Sequence, residues 1–121
     1  MLKIEGKQIN ITRGDTATLK LRVKTGGDFY TFNRNDEIEF KVYEKKKLEN
    51  EPVLYKDIMV EEETDKVSIE LTSQDTTIGE IINKEKEYWY EIQLNKKTTL
   101  IGYSDTEGPA IFMLLPEGRE I

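Results

Sequence analysis

Glu87-Tyr88-Trp89-Tyr90-Glu91-Ile92-Gln93-Leu94-Asn95 is the stretch that decides the fold class. Tyr88, Tyr90, Ile92 and Leu94 share one parity, while Trp89, Glu91 and Gln93 share the other. Successive side chains of a strand point to opposite faces, so this period of two predicts a strand with one buried face. The same pattern recurs upstream. Thr16 to Lys24 alternates with Ala17, Leu19, Leu21 and Val23 inside; Glu37 to Tyr43 does so with Ile38, Phe40 and Val42; Lys66 to Leu71 does so with Val67, Ile69 and Leu71.

Shorter runs fill the intervals: Gln8 to Thr12, Leu54 to Val60, Thr99 to Tyr103 and Ala110 to Leu115. The last is apolar on both parities, which fits a strand covered on two faces, a neighbouring chain being one candidate cover. Turn residues separate the runs. Gly26-Gly27-Asp28 offers positive φ, Asn33 to Asp36 favours a side-chain turn, and Gly108-Pro109 ends a ladder. Glu44 to Glu51 reads as a charged hairpin tip. One segment breaks the alternation: Thr72-Ser73-Gln74-Asp75 has capping-box spacing, and Ile78, Ile81 and Ile82 follow at helical intervals. The expected fold is thus an all-β antiparallel sandwich of about 7–9 strands with one short helical crossing near residues 73–82. A chain of 121 residues suits one domain, residues 1–121, built on one core.

Composition narrows function. Acidic groups outnumber basic ones, 24 to 18, and the net charge of −6 disfavours nucleic acid as a partner. Cysteine and histidine are both absent, which removes thiolate chemistry, the commonest nitrogen ligand for zinc, and the side chain best suited to proton transfer near neutrality. No phosphate-binding glycine loop occurs. The expectation is a protein without catalytic residues, metal or cofactor. The start of the sequence lacks the apolar stretch of a signal peptide, and the longest apolar run is the six residues Ala110 to Leu115, so no membrane partner is expected.

Four features invite sharper readings. Arg13-Gly14-Asp15 spells an integrin-binding tripeptide, but a tight turn into the strand at Thr16 accounts for it and is preferred. Glu61-Glu62-Glu63-Thr64-Asp65 lacks the spacing and central glycine of a calcium loop and reads as a solvated connection. A pair of carboxylates could support glycoside hydrolysis, yet the acids fall on outward strand positions or in loops. Trp89 opposes the buried parity and is either exposed or covered by a connecting loop; if exposed, it could stack on a sugar or anchor a protein partner. With Ile111, Phe112, Met113 and Leu114 it forms the candidate interaction surface.

Ile11-Thr12-Arg13-Gly14-Asp15-Thr16, Asn35-Asp36-Glu37-Ile38-Glu39-Phe40-Lys41-Val42, Asp75-Thr76-Thr77-Ile78 and Tyr88-Trp89-Tyr90-Glu91-Ile92-Gln93-Leu94 follow one another in an order that resembles the Ig-like domains of phage and prophage structural proteins. It is most similar to the N-terminal domain of baseplate upper proteins from phages of Gram-positive bacteria. The sequence departs from that pattern at Lys84-Glu85-Lys86-Glu87, where a glycine is usual, and it ends without a long host-recognition region. The resemblance implies an Ig-like sandwich and a virion structural role in tail, baseplate or neck. Its partners would be other virion proteins and copies of itself, assembled after synthesis in the host cytoplasm. In an Ig-like sandwich Tyr88 would occupy the place of a tyrosine corner. The alternative function is a carbohydrate- or cell-surface-binding module centred on Trp89.

Overall fold

The structure is a computed structural model and describes residues 2–5, 8–25, 27–45, 51–102 and 110–117. Among the described residues eleven strands and one helical turn follow one another as β1 (Leu2–Glu5), β2 (Gln8–Thr12), β3 (Ala17–Leu21), β4 (Lys24–Thr25), β5 (Asp28–Phe29), β6 (Glu37–Tyr43), β7 (Leu54–Met59), β8 (Val67–Leu71), α1 (Ser73–Thr76), β9 (Lys86–Leu94), β10 (Thr98–Ile101) and β11 (Ile111–Leu115). Seven of them form one sheet in the order β1-β2-β11-β9-β6-β7, with β10 also on β9; β3 and β8 form a second sheet, and β4 and β5 a two-residue ladder. Each strand run read from the sequence overlaps an observed strand, although Thr16 to Lys24 divides into β3 and β4, and β1 and β5 join them.

The alternating residues meet between the two sheets. Leu19, Leu21, Val67, Ile69 and Leu71 of β3 and β8 share one core with Ile11, Ile38, Phe40, Val42, Tyr90, Ile92, Phe112 and Leu114 of the large sheet. Phe40 lies at the aromatic centre, its ring 5.6 Å from that of Tyr90 and 6.2 Å from that of Phe112. Each such side chain contributes about 1.5–3 kcal/mol by leaving water, so the core alternation is the main determinant of the layer order. All ladders of the large sheet are antiparallel except one: β11 runs parallel to β2, Phe112 beside Ile9 and Leu114 beside Ile11. The purely antiparallel expectation fails there because β11 fills the slot between β9 and β2.

The crossing between β8 and β9 is shorter than its isoleucine spacing suggests. Thr72 and Asp75 form the expected capping box, but the helix stops at Thr76. The Thr77 hydroxyl donates to the Ser73 carbonyl at 2.7 Å, a side-chain bond that competes with helix propagation. Gly79 then adopts φ +66°. Ile78 is buried and Ile82 half-buried, whereas Ile81 is 79% exposed, so the three do not form one helical face. Of the other local readings, Gly27 has φ +101°, while Gly26, most of the 44–51 tip, Tyr103 and Gly108-Pro109 lie outside the described residues.

Candidate functional site

The second sheet covers one face of the seven-stranded sheet. The other face is built by the opposite parity of each strand, and the register fixes its neighbours. Trp89 lies between Tyr43 of β6 and Ile111 of β11; Met113 lies between Glu87 of β9 and Asn10 of β2; Leu115 is beside Thr12. Trp89, Ile111, Met113 and Leu115 are half-buried. They make an apolar strip across the adjacent strands β9 and β11, where an outward sheet face is ordinarily polar. Of the five residues expected on an interaction surface, Trp89, Ile111 and Met113 share this face, but Phe112 and Leu114 do not. Both are fully buried in the core, because the period of two that sends Ile111 and Met113 outward sends their neighbours inward.

Beside the strip lies a charged row. Glu39 stands across from Asp57 on β7 and Gln93 on β9, Glu37 across from Met59, and Lys41 between Tyr55 and Glu91. Glu39 is only 3% exposed although it belongs to the outward parity. Its Oε2 accepts a hydrogen bond from the Tyr55 hydroxyl. Its Oε1 has no hydrogen-bond partner and is 3.9 Å from the Lys41 ammonium. A hydrogen bond with Asp57, then partial burial and the Asp57 charge, raise the Glu37 carboxyl above its ordinary value. Burial and the adjoining Glu91 carboxylate, which accepts the Tyr43 hydroxyl at 3.2 Å, push Tyr43 up to about 12. The hydrogen bond to Glu39 raises Tyr55 as well. The importance of Glu39 could not be found from spacing alone, since it arises only when β7 and β9 flank β6.

The Arg13-Gly14-Asp15 segment forms the expected turn: the Asp15 amide donates to the Thr12 carbonyl at 3.0 Å and Gly14 has φ +88°. Its arginine faces inward. Arg13 is 8% exposed, donates from Nε to the Ile78 carbonyl at 3.1 Å and from Nη2 to the Gly79 carbonyl at 2.6 Å, and lies 3.6 Å from the Glu117 carboxylate. The Thr76 hydroxyl donates to the Asp15 carbonyl at 2.7 Å. The tripeptide therefore ties the start of β3 to the crossing, and its guanidinium is not presented to a receptor. Tyr88 completes this corner. It is buried with its hydroxyl against Gly79, where an added Cβ would lie 3.2 Å away.

An open cleft of about 550 Å³ at this end of the sandwich is walled by Glu44, Val53, Gln74 and Asp75, within the usual range for small-ligand sites. Its carboxylates are engaged: Asp75 by Thr72 and by the Lys56 ammonium at 2.9 Å, and Glu44 by Lys86 at 3.4 Å. Glu61, Glu62 and Glu63 are exposed, and Asp65 pairs with Arg22 at 3.4 Å. Among the described residues no group of three or more carboxylates converges to hold a metal ion, and no helix is long and apolar enough to cross a membrane. Compared with protein-family models, with curated proteins and with solved structures, the chain matches none.

Proposed function

We propose that this protein is a structural component of a phage or prophage virion, in the tail, baseplate or neck, and that it acts by protein–protein assembly and not by catalysis. The observation that carries the reading is the half-buried strip of Trp89, Ile111 and Met113 on the sheet face opposite the second sheet. Apolar groups that gather on one outward face mark a contact surface more often than isolated exposed side chains do. The sequence motifs that resemble those of Ig-like virion domains support it too: each falls on a supporting element, the Arg13 turn, β6, the capped crossing and β9. Particles purified from the encoding phage and probed with antibody against this protein provide the test. Labelled tails or baseplates are expected, and unlabelled particles would overturn the reading.

A second reading, a carbohydrate- or cell-surface-binding module, is favoured by one observation: the Trp89 indole lies on the outward face among the polar side chains Glu87, Glu91 and Gln93, a setting in which an aromatic ring can stack on a sugar. Glycan-array binding that disappears in Trp89→Ala would establish it in place of assembly.

A further inference from the structure

β7 is the last strand of the large sheet. It pairs with β6, and among the described residues its other edge has no strand partner. An unpaired edge exposes amides and carbonyls that can receive another strand. Two of its outward side chains, Tyr55 and Met59, are 46% and 55% exposed and flank Asp57. Behind Asp57 stand Glu37 and Glu39, with Lys41 as the neighbouring cation. The buried Oε1 of Glu39, which lacks a hydrogen-bond donor, adds an unmatched acceptor to this acidic row.

Resting on the assembly reading above, we infer that the free edge of β7 receives an extended segment of a partner protein in virion assembly. The segment is added as a further strand and carries an arginine or lysine beside Asp57 between two apolar residues. Same-face neighbours across a ladder attract when oppositely charged, so the basic residue meets the Asp57, Glu37 and Glu39 row. The apolar residues on either side cover Tyr55 and Met59.

A second copy of β7 is a poor occupant. A two-fold axis normal to the sheet pairs only residues of one face. In the two registers that overlap most of the strand, Lys56 therefore meets Lys56 or Asp57 meets Asp57, and no register sets Lys56 against Asp57. Like charges directly opposite are destabilising. The partner must supply the positive charge.

The probe is a synthetic peptide, acetyl-Thr-Leu-Thr-Arg-Thr-Leu-Thr-amide, titrated into the full chain while amide exchange is followed by nuclear magnetic resonance. The β7 amides are expected to gain at least about tenfold protection, a shift of about 1.4 kcal/mol in local opening. A peptide with glutamate in place of arginine, and one N-methylated on alternate amides so that it cannot extend a ladder, are expected to give none. Glu37→Gln combined with Asp57→Asn, confirmed folded by its amide spectrum, removes two charges of the row and is expected to lose the effect. The inference is overturned if the arginine peptide leaves β7 unprotected, if the double variant responds equally, or if the perturbation centres on Trp89. Virions that carry the protein while the peptide fails would refute this edge and leave the assembly reading standing; peptide binding with unlabelled virions would do the reverse.

Discussion

The Arg13 guanidinium donates from Nη2 to the Gly79 carbonyl across 2.6 Å, joining the turn before β3 to the crossing before β9, 66 residues apart. Nε does the same for Ile78. Both carbonyls follow a helix that ends at Thr76, and the Ile78 bond is buried.

Arg13→Ala is expected to destabilise the protein by about 3 kcal/mol, since two charge-assisted hydrogen bonds are lost and the buried Ile78 carbonyl is left unmatched. Arg13→Lys keeps the charge but not the planar fork that serves both carbonyls, and is expected to recover less than half of the loss. Urea unfolding of the two variants measures both.

Asp75 gives an acid-side signature. Burial alone would raise its carboxyl, but bonds from the Thr72 amide, the Lys56 ammonium and the Thr72 hydroxyl outweigh burial and hold it below the ordinary 3.8. A lowered folded-state value stabilises above the unfolded value, and that contribution disappears as pH falls through the folded one. Asp75→Asn is therefore expected to cost about 1 kcal/mol at neutral pH, the usual scale of a lost cap. The difference from the wild type should close below pH 3.8.

Glu37 has the opposite sign. Its hydrogen bond to Asp57, partial burial and like charge raise it above 4.5, so its favourable contribution is complete below that value and lost as pH rises through the folded-state value. Glu37→Gln is expected to match the wild type in acid and to exceed its melting temperature at neutral pH. Thermal unfolding across that range reads the crossover.

The turn joining β9 to β10 carries a correctable strain. Asn95 and Lys96 have φ of +53° and +58°, and the Lys97 amide closes on the Leu94 carbonyl at 3.0 Å. This is a two-residue hairpin of the type in which Asn-Gly is preferred. A lysine in the left-handed region costs about 1–2 kcal/mol relative to its favoured conformations, so Lys96→Gly is expected to raise stability by about 1 kcal/mol in urea unfolding.

That turn also illustrates what the sequence conceals. Asn95-Lys96-Lys97 lacks glycine and does not read as a turn, yet it holds because the Asn95 side chain accepts from the Glu37 amide at 2.8 Å and donates to Asp36 at 3.1 Å, partners 58 and 59 residues away. The core was legible for the opposite reason: Leu19, Phe40, Ile69 and Tyr90 obey a period that needs only neighbours in sequence. The candidate site was half legible. Parity separates Trp89 from Tyr88 and Tyr90, but the all-apolar run Ile111 to Leu115 has no polar residue to mark its outward face. Only its register against β9 and β2 divides Ile111 and Met113 from Phe112 and Leu114. Glu39 looked like a solvated charge because the tyrosine and lysine that cover it come from the neighbouring strand and from two residues along its own strand.

The most direct test of the assembly account combines the outward strip with the particle. Ile111→Asp and Met113→Asp in one chain would place charge on the outward face while leaving Phe112 and Leu114 in the core. Wild-type protein and this variant, each confirmed folded by circular dichroism, would be supplied to the encoding phage lacking its own copy, and purified particles counted for immunogold label. The account predicts label on wild-type particles and its loss with the variant. Unlabelled wild-type particles, or equal incorporation of the variant, would contradict it.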